Sequence, residues 1–165
     1  AARWLGDVLG NPVRLVRIGP AFLRPVKPGK AQPGDVVNFA DGYPLLIVSI
    51  ASVANLNDRL IARGESPVPM DRFRPNLVVE GAAAYDEDRW PRIRVGDVVL
   101  RAAGDCVRCT VITTDQTTAA RGPEPLRTLA TYRRQAGGTG VIFGQNLIQE
   151  SKAGTLHVGD TVELL

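Results

Sequence analysis

Cysteine is nearly absent from the 165 residues: Cys106 and Cys109 are the only two. A disulfide-stapled scaffold and an iron–sulfur cluster, which takes four thiolates, are both excluded on that count. Histidine is scarcer still, with His157 alone, so a closed zinc site of four Cys or His ligands would need carboxylates or a second chain. Aromatic residues make up 5% and none are paired within a basic run, as a base-stacking surface requires. Lys and Arg outnumber Asp and Glu by only 20 to 17, with the signs interspersed, which argues against nucleic acid as a partner. Long apolar runs are missing too. Stretches such as Leu45 to Val48 fall far short of the roughly 20 residues of a membrane-spanning helix. Free thiols and no visible signal peptide lead us to expect a reducing compartment, the cytoplasm.

What is present is the balance of an ordinary folded domain, 44% hydrophobic and 22% charged. A chain of this size buries about two-thirds of its extended surface on folding, enough for one core over residues 1–165 without staples. Ala2 to Leu9 spaces Trp4, Leu5, Val8 and Leu9 as a short amphipathic helix, stopped by Gly10, Asn11 and Pro12. Val13 to Ile18 reads as a strand, and Pro20, Pro25, Pro28 and Pro33 then predict an irregular loop. Gly34-Asp35, Gly96-Asp97 and Gly159-Asp160 each precede a β-branched run, the pattern of hairpin corners in a barrel. Ser52 is expected to cap a helix carrying Val53, Leu56, Leu60 and Ile61, ending at Gly64, and a second helix is expected from Pro125 to about Gln135. Leu45 to Val48, Leu77 to Glu80, Cys109 to Thr114, Val141 to Leu147 and Thr161 to Leu164 read as strands. The fold class expected is α+β, mostly β: a curled sheet or β-barrel with a few interposed helices.

The chemical signal is Cys106-Val107-Arg108-Cys109, followed by Thr110 to Asp115. On these residues alone four readings stay open. They are a zinc site, a thioredoxin-like pair, two small core thiols, and a thiolate bound to a soft or redox-active metal with Arg108 favouring the deprotonated form. The wider order of blocks is more specific. Arg72-Phe73-Arg74-Pro75-Asn76, then the Cys106 to Asp115 run, then Phe143-Gly144-Gln145-Asn146, then Gly154 to Asp160 resembles the MOSC domain. That module ends the molybdenum cofactor sulfurases and occurs in amidoxime-reducing enzymes, the group this sequence resembles most.

The resemblance implies a molybdenum cofactor, a molybdenum ion held by a pyranopterin dithiolate, with Cys109 as the protein's sulfur ligand and Cys106 beside it. A thiolate is a soft donor suited to a metal that changes oxidation state. It implies that Arg74 and Asn76 hold the pterin and its phosphate, through an arginine fork and an amide that both donates and accepts. Asp41-Gly42-Tyr43-Pro44 matches a loop lining the cofactor, where Gly42 and Tyr43 replace small hydroxyl residues, leaving backbone N–H groups to serve. Val107, Arg108 and Asn146 match positions facing the cofactor, and Asp41 is the expected hydrogen-bonding or proton-handling residue. The implied activity is reduction of a small N-hydroxylated substrate, with electrons from an external electron-donor protein. The alternative is a cofactor or sulfur carrier without reductase activity; the sulfurase branch also associates the family with pyridoxal phosphate. Relatives carry a preceding β-rich domain, so further anchors for the cofactor phosphate are expected from a missing N-terminal domain.

Overall fold

The computed structural model describes residues 1–26 and 31–165, so Pro28 of the proline-rich stretch lies outside the described residues. Helix α1, Ala2–Leu9, ends as its sequence predicts, with Gly10 in the left-handed region at φ 66°. None of its residues is buried. Val13 to Ile18 forms no strand, and Leu15 and Val16 stay exposed without a sheet neighbour to cover them.

Strand β1, Leu45–Ser49, leads directly into helix α2, Ile50–Ile61. The cap of α2 is Ser49 and not Ser52: the Ser49 hydroxyl accepts the Ser52 N–H at 3.0 Å. Ser52 instead donates its hydroxyl to buried Glu87 at 2.7 Å, and Val53, Leu56 and Leu60 form the buried face. The remaining strands are β2 (Leu77–Val79), β3 (Arg92–Val95), β4 (Val98–Arg108), β5 (Val141–Gln149) and β6 (Val162–Leu164). Together they make one six-stranded sheet in the order β2-β1-β5-β4-β3-β6, curled nearly into a barrel. The β1–β2 pair is parallel and the others antiparallel. Gly96-Asp97 turns β3 into β4, and Gly159-Asp160 precedes β6, as expected. Gly34-Asp35 precedes only an isolated bridge between Pro25 and Val36.

The long β4–β5 pairing changes register between Ala102 and Gly104 and again between Asp105 and Val107. Such bulges bend a strand and sharpen its twist, which curls the sheet and turns the end of β4 away from the core. Opposite, Gly144 takes φ 77°, and an added Cβ there would sit 2.8 Å from the Ile47 carbonyl oxygen. Only glycine lets β1 approach β5 this closely.

Two further elements differ from expectation. Helix α3 covers only Leu126–Leu129, because the chain is drawn back to the sheet by the Arg134–Val141 bridge and the Gln135 N–H to Gly140 carbonyl bond. Cys109 to Thr114 is not a strand: Thr110–Thr113 is a 3-10 turn, closed by the Thr113 hydroxyl on the Thr110 carbonyl at 2.7 Å. Ile112 is 1% exposed, and seating it in the core outweighs the β-propensity of the run, which has no strand to pair with there.

Candidate functional site

Strand β4 ends at Arg108, and Cys109 follows in extended conformation (φ −99°, ψ 177°) as the residue that opens the 3-10 turn. Cys109 is exposed, and Cys106 is half-buried against the main core. Three residues of extended chain separate their Cα atoms by about 10 Å. A disulfide needs less than about 7 Å, so the pair does not close one, and a thioredoxin-like role is set aside.

Arg108 braces this strand end. Its Nη1 donates to Cys106 Sγ at 3.0 Å and its Nη2 to the Phe73 carbonyl at 2.8 Å. The guanidinium therefore meets the thiol of Cys106 directly. Phe73 is fully buried and stacks on Phe143 at 4.2 Å between centroids, and the edge of Tyr85 meets the same Phe143 ring. Stacked pairs of this kind add about 0.5–1.5 kcal/mol beyond burial, so the Phe73 carbonyl is a firm anchor.

One residue on, Arg74 lies in the left-handed region (φ 55°, ψ 48°) with its N–H on the Asp71 carbonyl at 3.0 Å. That conformation costs a non-glycine residue about 1 kcal/mol, and Pro75 disfavours the right-handed alternative. Arg74 is exposed, and its guanidinium makes no ion pair among the described residues. Asn76 returns the chain to the sheet: its N–H donates to the Leu46 carbonyl and its Oδ1 accepts the Leu46 N–H, both at 2.9 Å. Leu46 pairs with Asn146, whose Nδ2 donates to the Asp105 carbonyl at 3.1 Å. Asn76, just before β2, thus joins Leu46, Asn146 and Asp105 in a row across β1, β5 and β4. Val107 is exposed beside this row, and one of its γ-carbons would meet a Cβ at Gly140.

The Asp41 loop stands apart. Arg24 gathers the Asn38, Ala40 and Asp41 carbonyls at 2.8, 2.6 and 2.9 Å, Asp41 and its carboxylate are exposed, and Gly42 is half-buried. Tyr43 packs on the cluster of Val26, Val37, Ala103 and Ile148. Leu45, which follows, pairs with Leu147, whereas Arg108 pairs with Val141, so the two segments meet β5 at different positions.

Two residues of the quoted blocks were given no role from sequence. Arg72, 9% exposed, pairs with Asp115 at 2.8 Å, and Gln116 Nε2 donates to the Asp71 carbonyl at 2.6 Å. Both bonds join the turn before Arg74 to the loop after Cys109. Asp115 is the one acid in the two blocks, but three arginines (Arg72, Arg74 and Arg108) could have met it, so the sequence did not single out the pair.

Residues 34–163 match the family model described as "MOSC domain". The chain belongs to the MOSC domain family. The MOSC domain here is 39% identical to mitochondrial amidoxime-reducing component 1 of Homo sapiens, over 99% of this chain and 50% of that protein. It is 37% identical to the same component of Danio rerio, over 98% of the chain and 50% of that protein. It is also 33% identical to molybdenum cofactor sulfurase of Oryza sativa subsp. japonica, over 86% of the chain and 18% of that protein. The chain spans about half the length of the amidoxime-reducing relatives it matches. No helix among the described residues is long and apolar enough to cross a membrane.

Proposed function

We propose that this MOSC domain, taken as one unit over residues 1–165, binds a molybdenum ion carried by a pyranopterin dithiolate, and that it serves an enzyme reducing N-hydroxylated compounds. The observation that carries this reading is an exposed cysteine thiol, Cys109, fixed at a strand end next to a turn that presents Arg74, whose guanidinium is unpaired among the described residues.

The donor set fits such a group. Among the described residues no cluster of three or more His, Cys, Asp or Glu could cage a bare ion. A metal arriving with its own dithiolate needs only one further soft donor, and Cys109 is that donor. Arg74 is free to fork onto a phosphate. Asn76 has its Oδ1 engaged by Leu46, which leaves its Nδ2 to donate to a pterin edge, while Asn146, with Nδ2 engaged, offers Oδ1. Val107 contributes apolar and main-chain contact, and Asp41 and the backbone of Gly42 and Tyr43 suit the far end of an elongated ligand. Arg108 acts through Cys106 and Phe73, holding the strand end that carries the ligand.

When bound, the cofactor supplies two-electron redox capacity. Removing oxygen from nitrogen takes two electrons and two protons: the N–O bond breaks, an N–H bond forms and water leaves. An external electron-donor protein supplies the electrons. The names of the relatives support the substrate class, and their greater length supports a further domain contributing to the cofactor's phosphate. Molybdenum-loaded protein given a chemical reductant and an amidoxime should yield the amidine, and Cys109→Ser should not. Absence of turnover by fully loaded protein would contradict the reductase reading.

A second reading rests on the sulfurase relatives together with the exposure of Cys109, which leaves room for a persulfide. Cyanide-releasable sulfur on Cys109 without turnover favours a cofactor or sulfur carrier. Stoichiometric molybdenum that stays bound through turnover favours the reductase.

A further inference from the structure

We infer that the Arg72–Asp115 ion pair is a positioning clamp: it fixes the Cys109 turn relative to the Arg74-Pro75-Asn76 turn, so that the two act as one two-point holder. This deepens the cofactor reading above and rests on it. The two turns are far apart in sequence and neither is a strand, so no sheet hydrogen bonds hold them together. Three side chains do. Arg108 ties the end of β4 to Phe73, Gln116 ties the loop after Cys109 to Asp71, and Arg72 ties the residue between Asp71 and Phe73 to Asp115. Only Arg72–Asp115 is charged on both sides, and the arginine is the more deeply buried partner, with its side chain 10% exposed against 35% for Asp115.

Asp115 is built to receive that arginine. Its Oδ1 accepts the Thr117 N–H at 3.0 Å, the Thr118 N–H at 2.8 Å and the Thr118 hydroxyl at 3.0 Å, leaving Oδ2 for Arg72. Its backbone is pinned as well: the Asp115 N–H donates to the Ala120 carbonyl and the Ala119 N–H to the Asp115 carbonyl, both at 2.8 Å. The carboxylate is thereby oriented before the arginine arrives. Bonds from Thr118, with the Arg72 charge adding to them, hold its pKa below the ordinary value, so it stays ionised at neutral pH.

The consequence is a chelate effect. Two anchors held at a fixed spacing bind one ligand far more tightly than the same anchors on loops that move independently. Neither clamp residue touches the ligand in this account; both act through the turns they join.

Asp115→Asn tests it with little disturbance, because the amide oxygen can keep the three Oδ1 bonds while an NH2 replaces the acceptor facing Arg72. Two readouts are needed on the full chain with any domain that accompanies it. In cofactor-free protein, hydrogen exchange should quicken in residues 70–76 and 110–118 of Asp115→Asn while β4 and β5 stay protected, and Arg72→Lys, which keeps a cation opposite an intact Asp115, should quicken it less. In molybdenum-loaded protein, Asp115→Asn should lose metal about tenfold faster, and Arg74→Ala should accelerate loss much less in that background than in wild type. Unchanged exchange in both segments overturns the clamp, as does an Arg74→Ala effect of equal size in both backgrounds. If instead Cys109→Ser and Arg74→Ala each retain molybdenum as wild type does, the cofactor reading fails, and the exchange result alone decides whether the clamp exists.

Discussion

The guanidinium of Arg108 donates to the carbonyl oxygen of Phe73 at 2.8 Å while its other terminal nitrogen meets Cys106 Sγ at 3.0 Å. One side chain therefore joins the strand that ends at Cys109 to the turn that presents Arg74, at the point where the core ring of Phe73 makes that turn rigid.

Replacing Arg108 should loosen both sides at once. Arg108→Ala leaves a buried carbonyl without its charged donor and is expected to cost about 1–3 kcal/mol, read as a lower urea midpoint. Arg108→Lys should recover little of this, because one ammonium cannot serve two acceptors in the fork geometry. Full recovery by lysine would show that charge alone matters there.

The two thiols should differ in reactivity but never join. Limited alkylation of native protein followed by mass spectrometry should modify exposed Cys109 before half-buried Cys106. Treatment with a mild thiol oxidant should produce no disulfide within the folded chain, since the extended backbone holds the pair about 10 Å apart at Cα. An intrachain disulfide forming while the sheet signal persists would contradict the geometry of β4.

Gly144→Ala should be among the most damaging single substitutions. The new Cβ would lie 2.8 Å from both the Ile47 carbonyl oxygen and a Val48 γ-carbon, at φ 77°. Strain and overpacking together should cost about 2–4 kcal/mol, measured by urea unfolding. A loss under about 1 kcal/mol would mean that β1 and β5 are free to move apart.

Asp88 gives the pH dependence a sign. Burial raises its pKa despite the hydrogen bond and charge of Arg133, with Glu87 and Asp105 nearby adding to the rise. A carboxyl whose folded pKa lies above its unfolded value is held protonated more firmly by the folded state. Its contribution is therefore most favourable below the ordinary value of about 4 and declines as pH rises through the folded pKa. Measured against Asp88→Asn, wild type should lose ground over that rise and then hold a constant difference toward neutral pH. A wild-type advantage that grows with pH would show that Arg133 outweighs burial.

Much of the sheet was legible because its signals are local. The Gly-Asp corners at residues 96–97 and 159–160 and the apolar runs of β1 and β5 state their structure within a few residues. The site was legible as a set of residue types in order, although not as an arrangement. Thr110 to Thr113 has strand-forming side chains, yet Ile112 finds its place only in a core built by distant segments. Ser52 was the expected cap, but Glu87, remote in sequence, takes its hydroxyl, and Ser49 caps the helix instead. Asp41 matched a motif, but the contacts that hold its loop come from Arg24, which no spacing rule connects to it. In each case the deciding partner lies far along the chain, where neither propensity nor spacing reaches.

The proposed function stands or falls on a bond between the Cys109 sulfur and the metal. X-ray absorption at the molybdenum edge, on loaded wild type and on Cys109→Ser, measures this most directly. One fewer sulfur neighbour around molybdenum is expected in the variant, with the dithiolate sulfurs retained. An unchanged sulfur count at unchanged molybdenum content would contradict it.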